Sequence, residues 1–228
     1  MRVTAFLLIL VLCLPSIHGL LNEYAGDAVV LEEGEIRRKP TLTGLEPIRF
    51  PHPVGRCEAA YTSGGTSTLP WTFAGKVREL SYKTVRYPGH WARMAFLKEL
   101  GLLETTPVPA GRGKVAPRDL LASLLEPMLS ESEVRDLVVL RVRVRGRRGG
   151  AACLRQYDLI DSYHEPTGLT AMMRGTAFPA AESALLLARR RIRETGVLAA
   201  ESVIPGDEYL TALRARVLDI REVEATRR

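Results

Sequence analysis

From Asp136 to Gly146 the chain reads DLVVLRVRVRG, with apolar residues and arginines alternating through its second half. A repeat of two fits a β-strand, whose successive side chains leave on opposite faces. GRRGG then turns the chain and ACLRQYDLID brings it back, so the sequence predicts a long antiparallel hairpin. The same repeat sets Arg141, Arg143, Arg145 and Arg147, with Arg148 beside them, on one solvent face and the valines on the other. A nucleic-acid stripe is the competing reading of these arginines. It is disfavoured by the strand period and by an aromatic content of 6%, low for a protein that stacks bases.

Further elements extend this hairpin into an α+β fold with a mixed or largely antiparallel sheet and helices packed on one face. Residues 28–36 and onward, AVVL, a charged turn with Gly34, then EIRRKP, read as a hairpin. Residues 41–53 are rich in proline and turn formers and are expected to run as irregular connection. CEAAYT reads as a short strand, SGGTSTLP as a loop, and KVRELSYKTVRY as a strand stopped by Pro88-Gly89. In HWARMAFLKELGLL, Trp91, Met94, Leu97 and Leu100 recur at helical spacing up to Gly101. A second helix begins at Pro117 in APRDLLASLLEPML. DSYHEPTG is expected as a loop, LTAMMRGTAF as a strand, and residues 178–192 as a helix with Pro179 in its first turn. GDEYLTALRARV predicts a short amphipathic helix before an edge strand, LDIREVEA.

The 228 residues divide at about residue 19 into an apolar leader and a domain over 20–228. Arg2, the apolar run from Ala5 to Leu14 and helix-breaking Pro15 have the layout of a secretory signal. The run is too short for a stable membrane span, which takes about 20 apolar residues. Ser16-Ile17-His18-Gly19 lacks the small-residue pattern of a cleavage site, leaving a non-native start as the other reading. Cys13, Cys57 and Cys153 follow no disulfide framework and are expected as reduced thiols. His18, His52, His90 and His164 show no metal-ligand spacing, so no metal site is expected. The net charge of +6 suits an anionic ligand without selecting one.

Several motifs fail. No G-x-G-x-x-G lies between a strand and a helix, so the sequence offers no residues that bind a dinucleotide. Gly111-x-Gly113-Lys114 lacks the spacing of a phosphate loop and reads as a surface turn, and Ser63-Gly64-Gly65 is no nucleophile elbow. Arg189-Arg190-Arg191 suits the negative end of a helix dipole and requires no ligand.

KTVRYPGHWARMAFLKELGLL is distinctive as a unit, and GLLNEY, EAAYTSGGTSTLPWTF, APRDLLASLLEP and YDLIDSYHEPTGLTAMMRGTAFPAA accompany it in order. Together, from about Ser16 onward, they resemble the C-terminal domain of saccharopine dehydrogenase-like oxidoreductases, a group that includes lysine 6-dehydrogenase-like enzymes. The resemblance implies an enzyme using NAD or NADP on amino acids related to lysine. Its Rossmann domain binds the nucleotide, and its C-terminal domain supplies the substrate pocket and a homodimer surface. No Rossmann domain precedes Ser16, so the expectation is a truncated chain that binds no cofactor and is inactive alone. A separate Rossmann-domain chain is then an expected partner, nucleic acid is not, and the compartment is the cytoplasm. The alternative is a free-standing, secreted or periplasmic amino-acid-binding module.

An amino-acid substrate presents a carboxylate, which a guanidinium grips through paired hydrogen bonds. Arg86 in TVRYPGH matches a family position near that carboxylate, against the plainer reading of a strand-end surface arginine. His90 opens a helix, where the positive dipole end favours neutral imidazole able to hydrogen-bond substrate or move a proton. Tyr87 and Thr176 are weaker substrate-binding candidates, Tyr163 and His164 are read as serving their own turn, and catalytic residues are not assigned.

Overall fold

The computed structural model describes residues 1–10, 17–129, 134–216 and 218–227. The predicted hairpin forms as β9 (Leu137–Arg148) and β10 (Ala151–Ser162), turning on Gly149 and Gly150 at φ of 58° and 83°. Only residues without a Cβ adopt two consecutive left-handed conformations freely, which is why the tight turn falls there. The edge strand β11 (Ile220–Arg227) pairs antiparallel with β10.

The apolar run read from the sequence as a leader contributes the next strand inward. β1 (Arg2–Leu10) lies antiparallel to β9 and parallel to β6 (Glu79–Arg86), paired on both sides. A continuous apolar stretch is also the signature of a strand enclosed within a sheet, so composition alone does not separate this from a leader. Cys13 and Pro15, which belong to that expectation, fall outside the described residues.

Beyond β6 the sheet divides. β2 (Asp27–Glu32) meets the start of β6 and carries β3 (Glu35–Pro40) as its hairpin partner. β5 (Arg56–Ala60) meets the end of β6 and carries β4 (Glu46–Arg49). β4 corrects the expectation of an irregular connection over 41–53: Pro47 sits on an edge strand, where a missing N–H costs little. The β1–β6 pair is parallel and the other described ladders are antiparallel, so the sheet is mixed.

Helices cover one face. α1 (Ile17–Glu23), α3 (His90–Glu99) and α4 (Pro117–Leu129) bury Leu21, Tyr24, Trp91, Met94 and Leu121 against Ala60 of β5. A short α2 (Leu69–Phe73) closes a smaller cluster around Leu31, Val77 and Leu80. Gly111, expected in a surface turn, lies between the short strands β7 (Val108–Ala110) and β8 (Gly113–Val115).

Two expectations are overturned here. LTAMMRGTAF is not a strand: α5 (Ala171–Ala188) runs through it and through Pro179 as one helix. Thr170 caps the helix by accepting from Met173 N at 3.0 Å, and buried Asp136 accepts from Ala171 N and Met172 N at 2.6 and 2.7 Å. That acidic cap satisfies N–H groups a helix start leaves without partners. With α6 (Ala200–Val203) and α7 (Gly206–Ala215), α5 extends the helical layer over the same face of β9 and β10, where Phe178 and Leu213 meet Leu140 and Leu159. The arginine stripe is not uniformly at the solvent face either. Arg141 is buried, donating to Asp158 Oδ1 and Oδ2 at 2.7 and 2.9 Å, with its guanidinium 4.4 Å over the Phe50 ring.

Candidate functional site

β6 ends at the helical layer, and the predicted substrate residues lie where it ends. Tyr82, Thr84 and Arg86 leave one face of the strand by its period of two. On that face Thr84 Oγ1 meets Thr62 Oγ1 at 2.6 Å. Arg86 is buried, with 9% of its surface exposed, so the reading of a strand-end surface arginine fails. Its Nη1 donates to Val85 O at 3.0 Å and its Nη2 to Glu23 Oε2 at 3.3 Å.

The turn that follows is held by β5. Gly89 takes φ 87°, its N–H donates to Glu58 Oε2 at 3.2 Å, and Trp91 Nε1 donates to Glu58 O at 3.0 Å. This aims His90 at α1, where its Nε2 hydrogen-bonds the Tyr24 hydroxyl at 3.0 Å. Tyr24 is fully buried, and the His90 and Trp91 rings stand edge-on at 5.4 Å. Burial first, then the Arg86 and Arg93 charges, lowers the His90 pKa to about 4. The imidazole is therefore neutral at pH 7, through burial and the neighbouring guanidinium charges.

Glu23 and Tyr24 were not singled out from the sequence, although GLLNEY was part of the resemblance. Their signal was long-range. Ser63 N donates to Glu23 O at 3.0 Å and Thr41 Oγ1 to Tyr24 O at 2.7 Å, so two distant loops fix the end of α1 against β6. Buried Arg118 adds a tie from α4, donating to Asn22 Oδ1 at 2.7 Å. Burial raises the Glu23 pKa and the Arg86 charge partly opposes it, so this carboxylate is an imperfectly solvated partner. A carboxylate already seated on a buried guanidinium marks where another could bind.

The remaining candidates lie apart from this cluster or at its rim. Tyr87 is 38% exposed beside it. Thr176 is an exposed residue of α5, 3.4 Å from Met172 Sδ, on a helix packed against β9, β10 and α7. His164 Nδ1 bonds Thr167 Oγ1 at 2.8 Å and Tyr163 lies under Arg135, so both serve their own loop. Among the described residues no group of three His, Cys, Asp or Glu is placed to hold a metal ion.

Neither the Gly111–Gly113 stretch nor the Ser63–Gly65 stretch forms the phosphate turn of a dinucleotide site. The pyrophosphate needs a glycine turn opening a helix, with room for the phosphates. Gly111 and Gly113 lie instead in the β7–β8 hairpin, and a Cβ on Gly65 would fall 1.9 Å from the Tyr82 ring.

Comparisons with known proteins give the family and the fold of the chain. The profile of the saccharopine dehydrogenase C-terminal domain matches residues 16–218. Apo histidine-tagged saccharopine dehydrogenase (L-Glu forming) from Saccharomyces cerevisiae shares the fold, with a TM-score of 0.72 at 15% sequence identity over 98% of this chain and 67% of that one. The extent of the profile match carries the conclusion: this chain belongs to the saccharopine dehydrogenase C-terminal domain family.

Proposed function

We propose that this chain is the substrate-holding and dimerisation domain of an NAD(P)-dependent oxidoreductase acting on amino acids related to lysine. The observation that supports it is the buried Arg86 at the end of β6, facing Glu23 and flanked by the neutral His90–Tyr24 pair. In this reading a substrate carboxylate displaces Glu23 and takes the Arg86 fork, and His90 with Tyr24 hydrogen-bonds the amino group or relays its proton. Hydride transfer itself belongs to a nucleotide held by a Rossmann domain, the family's cofactor being NAD or NADP.

Exposed apolar side chains support the dimerisation part of this reading. Leu120, Leu124 and Met128 form an exposed apolar stripe along α4, and Phe96 of α3 and Leu100 at its C-terminal end are also exposed. Exposed apolar patches of this kind mark faces that other protein covers. Among the described residues no helix is long and apolar enough to cross a membrane. Cys57 and Cys153 are free thiols, and cleavage after Gly19 would remove β1 from between two strands. Both features favour the cytoplasm over export.

Calorimetric titration with saccharopine tests the pocket. Binding is expected for the unaltered chain, a loss of at least about tenfold for Arg86→Gln, and tighter binding for Glu23→Gln, which removes the competing charge. Equal affinity in all three proteins would refute the site.

A further inference from the structure

The sheet face opposite the helices changes character along its length. At one end Ala59, Val85 and Val139 pack beneath Ile48, Phe50 and Val54. At the other, Arg2 of β1, Ser81 and Lys83 of β6, and Arg143 and Arg145 of β9 surround a cavity of about 220 Å³ together with Glu46 and Tyr61. Four cationic side chains from three strands thus meet one carboxylate.

Charge pairing is the habit elsewhere on this sheet. Asp158 holds Arg141 with two hydrogen bonds, and Glu222 and Glu224 answer Arg155 from the neighbouring strand. Within the cavity Lys83 Nζ donates to Glu46 Oε1 at 2.6 Å and to Gly44 O at 2.5 Å, so the one carboxylate is already taken. Gly44, at φ 65°, allows this approach, since a Cβ there would stand 2.6 Å from the Tyr61 ring. Arg143 gives Nε to Gln156 Oε1 at 2.8 Å.

Arg2 and Arg145 make no ion pair or side-chain hydrogen bond among the described residues, yet they stand directly opposite each other in the β1–β9 register. Like charges so placed repel across a strand pair. Glu79, opposite Arg2 on β6, forms no ion pair among the described residues and does not line the cavity. Burial first, then the Arg141 and Arg145 charges, lower the Arg143 pKa, and Asp158 and Glu46 oppose them only in part.

We infer that this cavity binds a small multivalent anion, a phosphate or a polycarboxylate, whose oxygens take the open guanidinium forks of Arg2 and Arg145 with Arg143 and Ser81 beside them. Planar forks of this kind match both chemistries. Lys83 and Arg86 leave β6 on opposite faces, so the site is separate from the substrate pocket and stands whether or not that pocket binds an amino acid.

The test is calorimetry and thermal unfolding of the full chain in inorganic phosphate, citrate or chloride at matched ionic strength. Phosphate or citrate is expected to bind and to raise Tm above its value in chloride, and which of them does so identifies the chemistry. The Arg2→Gln/Arg145→Gln variant should lose roughly tenfold or more in affinity. Its Tm in chloride should be unchanged or higher, because a repelling pair is gone. Arg145→Gln alone, at an exposed position, should lose several-fold. The control Arg38→Gln/Arg112→Gln removes two exposed arginines elsewhere and should bind like the unaltered chain. No stabilisation by either anion beyond chloride, or equal losses in both double variants, would overturn the site.

Discussion

At the scale of single residues, His90 reports on the pocket without any ligand. Its neutral state is imposed by burial and by two arginines, so an NMR titration should find its midpoint near 4, below the ordinary 6.5. The consequence for stability follows by linkage. Above pH 6.5 the side chain is neutral both folded and unfolded, and it contributes no slope. Between 6.5 and 4 the unfolded chain takes up a proton that the folded one refuses, so stability falls with pH. Below 4 both states are protonated and the loss levels off. Chemical denaturation of the unaltered chain and of His90→Asn should therefore diverge within that window, with the unaltered chain losing more. Parallel curves would mean that His90 is not buried beside Arg86. Arg86 was singled out through the resemblance and His90 through its place at a helix start, and the Pro88-Gly89 break made that strand end and helix start legible. Glu23 and Tyr24 were not legible, because what brings them there are contacts from Ser63 and Thr41, some 40 and 17 residues along the chain.

Elements followed the same division between local and distant causes. The β9–β10 and β2–β3 hairpins, α3 and α4 could be read directly, since a period and a stop signal lie together in each. The start of α5 could not. MMRGTAF has no clear helical stripe, and the cap that starts the helix there comes partly from Asp136, at the foot of β9. Asp136→Ala should cost about 1–2 kcal/mol and lower Tm by several degrees. Hydrogen exchange should speed first at Ala171 to Met173. An unchanged exchange pattern would assign the start of α5 to Thr170 alone. β1 was not anticipated for a related reason: an enclosed strand and a short leader share one composition, and the strand shows itself only in its pairing with β6 and β9.

For the whole molecule, the mixed sheet separates two chemistries. Its helical face carries the Arg86–Glu23 pair, the proposed carboxylate site, and its other face carries the cationic cavity. The apolar stripe on α4 is the proposed dimer surface, so light scattering should give about twice the 25.2 kDa chain mass. Leu124→Glu, at an exposed position, should return the protein to one chain; a monomer before substitution would move dimerisation elsewhere. The claim on which the functional account rests is that Arg86 receives a substrate carboxylate. A crystal structure of the chain soaked with saccharopine tests it most directly. The account predicts one substrate carboxylate on the Arg86 guanidinium at hydrogen-bond distance, with Glu23 displaced. Saccharopine bound elsewhere, with the Arg86–Glu23 pair intact, would contradict it.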